Sequence, residues 1–238
     1  MSIENIPNFY KLIPHSQSGG RIKYKNFDKI KIDLPFQAII IGKTGSGKSN
    51  LLLYLIQEIS AWNKIILLCK KPDEPLYQLL ISRINKIEKK IKQQIIYVCT
   101  SIDELPELDD FDGESTLLIA DDQVCENKKT QAILGEYWIR GRKNGVSCCY
   151  LSQSFYLTPK LIRDNSGLCF LKTIVSVRDL KRILSEFSLT EDPLKIMKLY
   201  NQIQQSGQMN FLLINKNTMD ENYRYCFNFS PIDIKTLE

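Results

Sequence analysis

The chain has 238 residues, of which 43% are hydrophobic and 25% are charged, a composition typical of one ordinary globular domain. It contains no apolar run long enough to span a bilayer and no signal segment at its start, so we expect an intracellular, non-secreted protein without an integral membrane segment. The formal net charge of +5 permits contact with nucleic acid without requiring it.

The seven cysteines include no C-x-x-C pair, and most of them lie in apolar, strand-like runs. This placement predicts buried free thiols in a reducing compartment. Cys148 and Cys149 are adjacent and are expected to point to opposite faces of a strand. The single histidine, His15, is distant in sequence from all the cysteines, so a zinc site is not expected.

Residues 1–27 are mixed and polar, and we interpret them as an N-terminal arm that is loosely ordered or docks on a neighbouring subunit. Residues 28–238 are interpreted as one folded domain. Within it, residues 29–34 alternate between polar and apolar side chains, which predicts an edge strand.

Short apolar runs then alternate with helical patterns along the chain. The clearest helix covers residues 75–91, where the apolar residues recur at helical spacing. The predicted strands are 38–41, 65–69, 95–99, 116–120, 146–151, 168–171, 211–214 and 223–227. This alternation predicts an α/β fold with a mostly parallel central sheet covered by helices on both faces.

Residues 42–49 match G-x-x-x-x-G-K-[ST], the phosphate-binding P-loop, at every required position. Glycines allow successive backbone N–H groups to turn toward phosphate oxygens, and the following helix adds the positive end of its dipole. Lys48 is expected to reach the β- and γ-phosphates, and the Ser49 hydroxyl to bind Mg²⁺. The expected nucleotide-binding residues are Gly42, Lys43, Thr44, Gly45, Ser46, Gly47, Lys48, Ser49 and Asn50.

Two acidic residues follow the predicted strand 116–120. Asp121 is expected to hold Mg²⁺ beside the P-loop, and Asp122 to polarise the attacking water as general base. Gln153 follows the strand 146–151 and is expected to sense the γ-phosphate or orient water. The alternatives are an aspartate that only caps a strand–loop junction and a glutamine that only faces solvent.

Arg140 and Arg142 lie at the basic end of a predicted helix over residues 128–143. Cations at a helix C-terminus interact favourably with its dipole, so a purely structural role is one interpretation. The other is an arginine finger that reaches the nucleotide of a neighbouring subunit, where a guanidinium stabilises transition-state charge.

The order of these features is a P-loop, a strand ending in paired acids, Arg-x-Arg-x-x-Gly and a strand ending in Gln. This order resembles the FtsK–HerA superfamily of DNA-pumping ATPases, and the resemblance covers roughly residues 28–228. Later segments similar to FtsK-type motors are 161–165, 175–179 and 207–211. The segments most similar to the poxvirus-type genome-packaging ATPases of large DNA viruses and virophages are 42–50, 120–122 and 140–144.

The resemblance implies a RecA-like, ASCE-type P-loop NTPase that uses ATP and Mg²⁺. Asp122 then corresponds to the catalytic acid and Gln153 to the sensor. Arg142 corresponds to the trans arginine finger, with Arg140 as second choice. Two positions depart from the pattern, because bacterial relatives carry Glu where this chain has Asp122, and viral relatives often carry His where it has Lys143.

The function implied is an ATP-driven motor that translocates double-stranded DNA and packages a viral genome into a preformed capsid. Its expected partners are DNA without sequence preference, further copies in a hexameric or pentameric ring, and a capsid or portal-vertex protein. Its expected location is the host cytoplasm or viral factory, with virion association also open. Candidate DNA contacts, which are otherwise only solvated cations, are Lys70, Lys71, Arg83, Lys86, Lys89 and Lys90.

Three other functions remain open from the sequence. The nearest is a cellular or plasmid FtsK/HerA-like DNA pump. A small-molecule kinase shares the P-loop, and a nucleotide-dependent assembly protein would bind without hydrolysis. The paired acids and the strand-end glutamine favour hydrolysis over both of the latter.

Overall fold

A computed structural model describes residues 24–187 and 192–234. Its helices are α1 Phe27–Ile30, α2 Lys48–Ile59, α3 Pro75–Ile91, α4 Lys128–Arg140, α5 Lys160–Asn165, α6 Val177–Phe187 and α7 Pro193–Ser206. Its strands are β1 Gln37–Ile41, β2 Lys64–Leu68, β3 Ile96–Cys99, β4 Thr116–Asp121, β5 Val146–Ser152, β6 Leu168–Leu171, β7 Leu212–Asn215, β8 Tyr225–Phe227 and β9 Ser230–Pro231. Residues 1–23 of the expected arm lie outside the described residues.

The strands of the described chain form one sheet in the order β3-β2-β4-β5-β1-β6-β7-β8-β9. Strands β1 to β6 pair in parallel, and β7, β8 and β9 add an antiparallel edge. Apolar residues of α2 and α3 cover one face of the sheet, and those of α4 to α7 cover the other. The predicted fold, a mostly parallel sheet with helices on both faces, is therefore confirmed.

Parallel pairing aligns the carboxyl ends of three central strands. Ile41 of β1 pairs with Ser152 of β5, and Leu151 pairs with Asp121 of β4. Strand β5 thus separates β4 from β1, so Asp121 is one strand further from the P-loop than the sequence suggested. Gln153, which directly follows β5, therefore lies between the P-loop and Asp122.

The prediction of an edge strand over residues 29–34 is wrong. Residues 27–30 form α1, and Lys31 adopts a left-handed φ of 53°. The alternation that suggested a strand is nevertheless real, because Ile30, Ile32 and Leu34 are buried while Lys31 and Asp33 are partly exposed. It reflects burial beside the core without strand pairing.

Helix α3 has the predicted bounds but a different buried face. Tyr77, Leu80 and Ile84 are buried, whereas Ile87 and Ile91 are each 50% exposed. Residues spaced by three and four positions share one side of a helix, and here only a narrow stripe meets the core. This rotation turns Tyr77 toward the end of β4.

All seven cysteines are free thiols, and all except Cys125 are buried, as predicted. Cys148 and Cys149 belong to the two opposite cores. Over residues 24–187 and 192–234, every helix is too short or too polar to cross a bilayer.

Candidate active site

The P-loop joins β1 to α2 at the carboxyl edge of the sheet. Gly45 and Gly47 adopt φ values of 74° and 88°, a left-handed conformation that glycine reaches without strain. Gly47 caps α2, whose first residue is Lys48. The loop thus points backbone N–H groups and the positive end of a 12-residue helix at one place, which is the arrangement that binds phosphate.

Neighbouring strands anchor the loop through backbone hydrogen bonds. The N–H of Gly42 donates to the carbonyl of Ser152 at 3.2 Å, and the N–H of Lys43 donates to that of Thr173 at 2.9 Å. A side chain at Gly42 has no room, since an added Cβ would lie 2.6 Å from the Lys172 Cβ. The loop conformation is therefore set by β5 and β6 as well as by its own glycines.

The Lys48 ammonium folds back over the loop. It donates to the carbonyl oxygens of Gly42 at 3.0 Å and Lys43 at 3.3 Å. Burial lowers the pKa of Lys48, and the negative charges of Asp122 and Asp121 oppose that shift. A bound phosphate would offer this ammonium stronger acceptors than two neutral carbonyls.

Asp121 ends β4 with only 9% of its surface exposed. The Tyr77 hydroxyl donates to its Oδ2 at 2.5 Å. Desolvation by burial raises the pKa of Asp121 to about 6, and the nearby charges of Asp122 and Glu74 act in the same direction. The Ser49 side chain acts on the same Tyr77 hydroxyl, because it opposes the rise that burial causes in the pKa of Tyr77.

This pair of oxygens suits a hard divalent cation. A buried carboxylate and a hydroxyl beside a phosphate loop are the donors that Mg²⁺ accepts, with water and phosphate completing its octahedron. The raised pKa of Asp121 reflects a buried negative charge that the Lys48 ammonium offsets only in part. The residues present therefore fit a magnesium ion.

Gln153 connects the P-loop to the second acid. The Thr44 hydroxyl donates to its Oε1 at 2.7 Å, and its Nε2 donates to Asp122 Oδ1 at 3.3 Å. Asp122 itself is exposed and has a left-handed φ of 52°. The structure thus brings the expected base and sensor together at the mouth of the loop.

Arg140 and Arg142 lie near the amino end of β5, whereas the P-loop lies at the carboxyl ends of the strands. They precede β5, whose length of seven residues at about 3.3 Å each puts Arg142 on the order of 20 Å from the P-loop. Arg140 pairs with Asp109 at 3.5 Å and Glu136 at 3.6 Å, whereas Arg142 is exposed on a 3₁₀ turn after α4. Neither arginine can reach the nucleotide site of its own chain.

The candidate DNA contacts divide into two groups. Lys70 and Lys71 follow β2 at the same edge as the P-loop, and Lys70 pairs with Glu126. The other four cations are exposed along α3 and are Arg83, Lys86, Lys89 and Lys90. The role of both groups stays a prediction.

Two further residues at this edge, Tyr77 and Lys172, belong to none of the sequence motifs. Tyr77 was detectable, since it shares the spacing of Leu80 and Ile84 on the buried face of α3. Lys172 follows β6 and is completely buried against the P-loop. Nothing in the sequence distinguishes it from a lysine that faces solvent after an apolar strand.

Comparison with known proteins decides the family. Residues 24–235 match the family described as the poxvirus A32 protein. The chain belongs to this family. The resemblance inferred from the motifs is thereby confirmed, and this A32-family chain is a P-loop ATPase. No curated protein matches the A32-family chain.

Solved structures share the fold of the A32-family chain. B204, the DNA-packaging ATPase of Sulfolobus turreted icosahedral virus, superposes with a TM-score of 0.56 at 19% identity, over 85% of this chain and 100% of B204. The genome-packaging NTPase B204 of Sulfolobus turreted icosahedral virus 2, in complex with AMP, gives 0.55 at 18% identity, over 83% and 98% of the two chains. Its complex with AMPPCP gives 0.54 at 17% identity over the same shares.

Proposed function

We propose that this protein is an ATP-driven motor that translocates double-stranded DNA and packages a viral genome into a preformed capsid. One observation carries the proposal most directly. The P-loop, Asp121, Asp122 and Gln153 meet at one edge of the sheet, while Arg142 lies at the opposite edge. A site of this kind is completed by a second subunit, which fits a ring motor better than a single-chain enzyme.

The chain's own residues provide the parts of ATP hydrolysis. Lys48 and the loop N–H groups hold the phosphates, and Ser49 and Asp121 would hold Mg²⁺, which would neutralise phosphate charge. Asp122 accepts a proton from the attacking water, and Gln153 orients that water through its amide. Arg142 of a neighbouring subunit stabilises the charge that develops on the γ-phosphate.

The assembly is a homo-oligomeric ring of six or five copies around duplex DNA. Such a motor grips phosphates through lysine and arginine, so its affinity is independent of sequence and falls as salt rises. Lys70 and Lys71 lie at the nucleotide edge, where they link hydrolysis to the DNA more directly than the cations of α3. A capsid or portal-vertex protein docks the ring in the host cytoplasm or viral factory, and the ring stays with the virion if that docking outlasts packaging.

The likeness to B204, a viral DNA-packaging ATPase, supports this proposal over a small-molecule kinase. The link from Gln153 to Asp122 also supports it, because an amide beside a carboxylate is suited to orient and deprotonate an attacking water. A cellular or plasmid DNA pump would use the same geometry.

ATP hydrolysis by the purified protein, with and without linear double-stranded DNA over a series of salt concentrations, tests the proposal. We expect stimulation by DNA that weakens as salt rises, and no turnover in Lys48→Ala with or without DNA. Hydrolysis that ignores DNA would favour the assembly protein. Phosphoryl transfer that requires a nucleoside or another small acceptor would favour the kinase.

A further inference from the structure

Lys172 is a fully buried cation directly after β6. Its side chain is 0% exposed, and its ammonium donates to the carbonyl oxygens of Gln208 and Asn210, both at 3.0 Å. In the described part of the chain no carboxylate pairs with it, and burial lowers the pKa of Lys172 to about 8. A buried ammonium without a counter-charge is costly, so its presence requires a reason beyond two bonds to neutral carbonyls.

The position of the Lys172 ammonium explains why a buried positive charge is present here. A Cβ built on Gly47 would lie 3.7 Å from the Lys172 Nζ, and Gly47 is the N-cap of α2. The N-terminus of a helix carries about half a positive charge. Two positive groups therefore share one buried place, an arrangement that an anion would stabilise. The anion that this edge of the sheet is built to bind is phosphate.

Lys172 also supports a turn that touches the P-loop. Gln208 Nε2 donates to the carbonyl of Gly45 at 3.1 Å. Met209 approaches from the same turn, because its Sδ would lie 3.1 Å from a Cβ on Gly47. The turn, residues 207–210, continues through Phe211 into β7. The ammonium thus joins the phosphate loop to the antiparallel edge of the sheet.

We propose that Lys172 is a second cation of the phosphate site, a positioning residue that holds the 207–210 turn against the P-loop and whose charge is balanced by the bound polyphosphate. This inference rests on the nucleotide binding in the proposed function. A purely structural link would need only a neutral donor, because both acceptors are neutral carbonyls. The positive charge itself is what the polyphosphate uses.

The test compares the affinities of AMP-PNP and AMP for wild type and Lys172→Met by isothermal titration calorimetry. Polyphosphate carries more negative charge than the monophosphate, so loss of the cation should weaken AMP-PNP binding by about tenfold or more and AMP binding by much less. Gln208→Ala is the matched control. It removes the bond to Gly45 but keeps the charge of Lys172, so the ratio of the two affinities should stay at the wild-type value.

A second variant covers the case in which Lys172→Met does not fold. Lys172→Gln keeps a neutral donor for the turn while removing the charge, and it should lower the ratio of AMP-PNP to AMP affinity in the same way. A wild-type ratio in a folded neutral variant would overturn the inference and leave the proposed function intact. Failure of the wild-type protein to bind AMP-PNP would overturn both.

Discussion

The hydroxyl of Tyr77 lies 2.5 Å from Oδ2 of Asp121, and this hydrogen bond joins α3 to the carboxyl end of β4. Both groups are buried. Tyr77 therefore holds the carboxylate of Asp121, which the proposed function assigns to Mg²⁺. Helix α3 also carries four exposed cations, which are Arg83, Lys86, Lys89 and Lys90.

Replacing Tyr77 with Phe should raise the Mg²⁺ concentration needed for half-maximal hydrolysis. The substitution deletes one hydroxyl and leaves Asp121 without its donor, at a cost of about 1–3 kcal/mol, which corresponds to roughly fivefold to 150-fold in metal affinity. Hydrolysis rates measured over a Mg²⁺ series check this. Tyr97→Phe on β3, away from the site, is the control. An unchanged Mg²⁺ requirement in Tyr77→Phe would contradict the assigned role.

Asp121→Asn should stabilise the nucleotide-free protein at pH 8 and abolish hydrolysis. The pKa of Asp121 rises from 3.8 to about 6 in the folded chain. The charged carboxylate therefore disfavours folding above pH 6, and this cost disappears as the pH falls from 6 toward 3.8. At about 1.36 kcal/mol per pKa unit, the gain in unfolding free energy at pH 8 is on the order of 3 kcal/mol.

Urea denaturation without Mg²⁺ measures this gain at two pH values. The difference between Asp121→Asn and wild type should fall below about 1 kcal/mol at pH 4, where Asp121 is protonated in the folded state and about half protonated in the unfolded state. A difference that is the same at pH 8 and pH 4 would show that ionisation of Asp121 is not its source.

Gln153→Ala should lower kcat for ATP by about tenfold to a hundredfold, with little change in KM. Gln153 bonds Thr44 and Asp122 but is assigned no part in holding the phosphates, so its loss affects the water step rather than binding. Steady-state hydrolysis kinetics check this. Gln93→Ala, an exposed glutamine beyond α3, should behave as wild type. A rise in KM with unchanged kcat would instead make Gln153 a binding residue.

Mixed rings test the position of Arg142. Arg142→Ala and Lys48→Ala should each be inactive alone, because every interface then lacks one part of the site. In an equal mixture, about one interface in four joins an intact P-loop to an intact finger, so activity should reappear. The hydrolysis rate is followed across mixing ratios, with the double variant as control. A mixture no more active than its separate components would contradict the trans assignment.

The sequence predicted the P-loop and its setting because that geometry is local. Glycines at 45 and 47 adopt the positive φ angles that the motif needs, and the flanking strand and helix follow from short apolar runs. The meeting of Asp122 with Gln153 was also predictable, since the carboxyl ends of parallel strands share one edge. That β5 separates Asp121 from the loop depends on strand order, which local patterns do not encode.

Tertiary contacts explain what the sequence did not predict. Residues 29–34 alternate as a strand does, yet burial of Ile30 and Ile32 beside the core produces the same pattern without pairing. Lys172 is buried because the 207–210 turn folds over it. The two hydrogen bonds from its ammonium reach residues that lie 36 and 38 positions later in the sequence. The distance of roughly 20 Å between Arg142 and the P-loop likewise emerges only once β5 is placed in the sheet.

Movement along duplex DNA distinguishes the proposed motor from other P-loop ATPases, and displacement of a third strand tests it most directly. A labelled oligonucleotide forms a triplex on linear double-stranded DNA, and its release is followed with the wild-type protein and ATP. We predict release with ATP and none with AMP-PNP or with Lys48→Ala. DNA-stimulated hydrolysis without any release of the third strand would contradict a translocating motor.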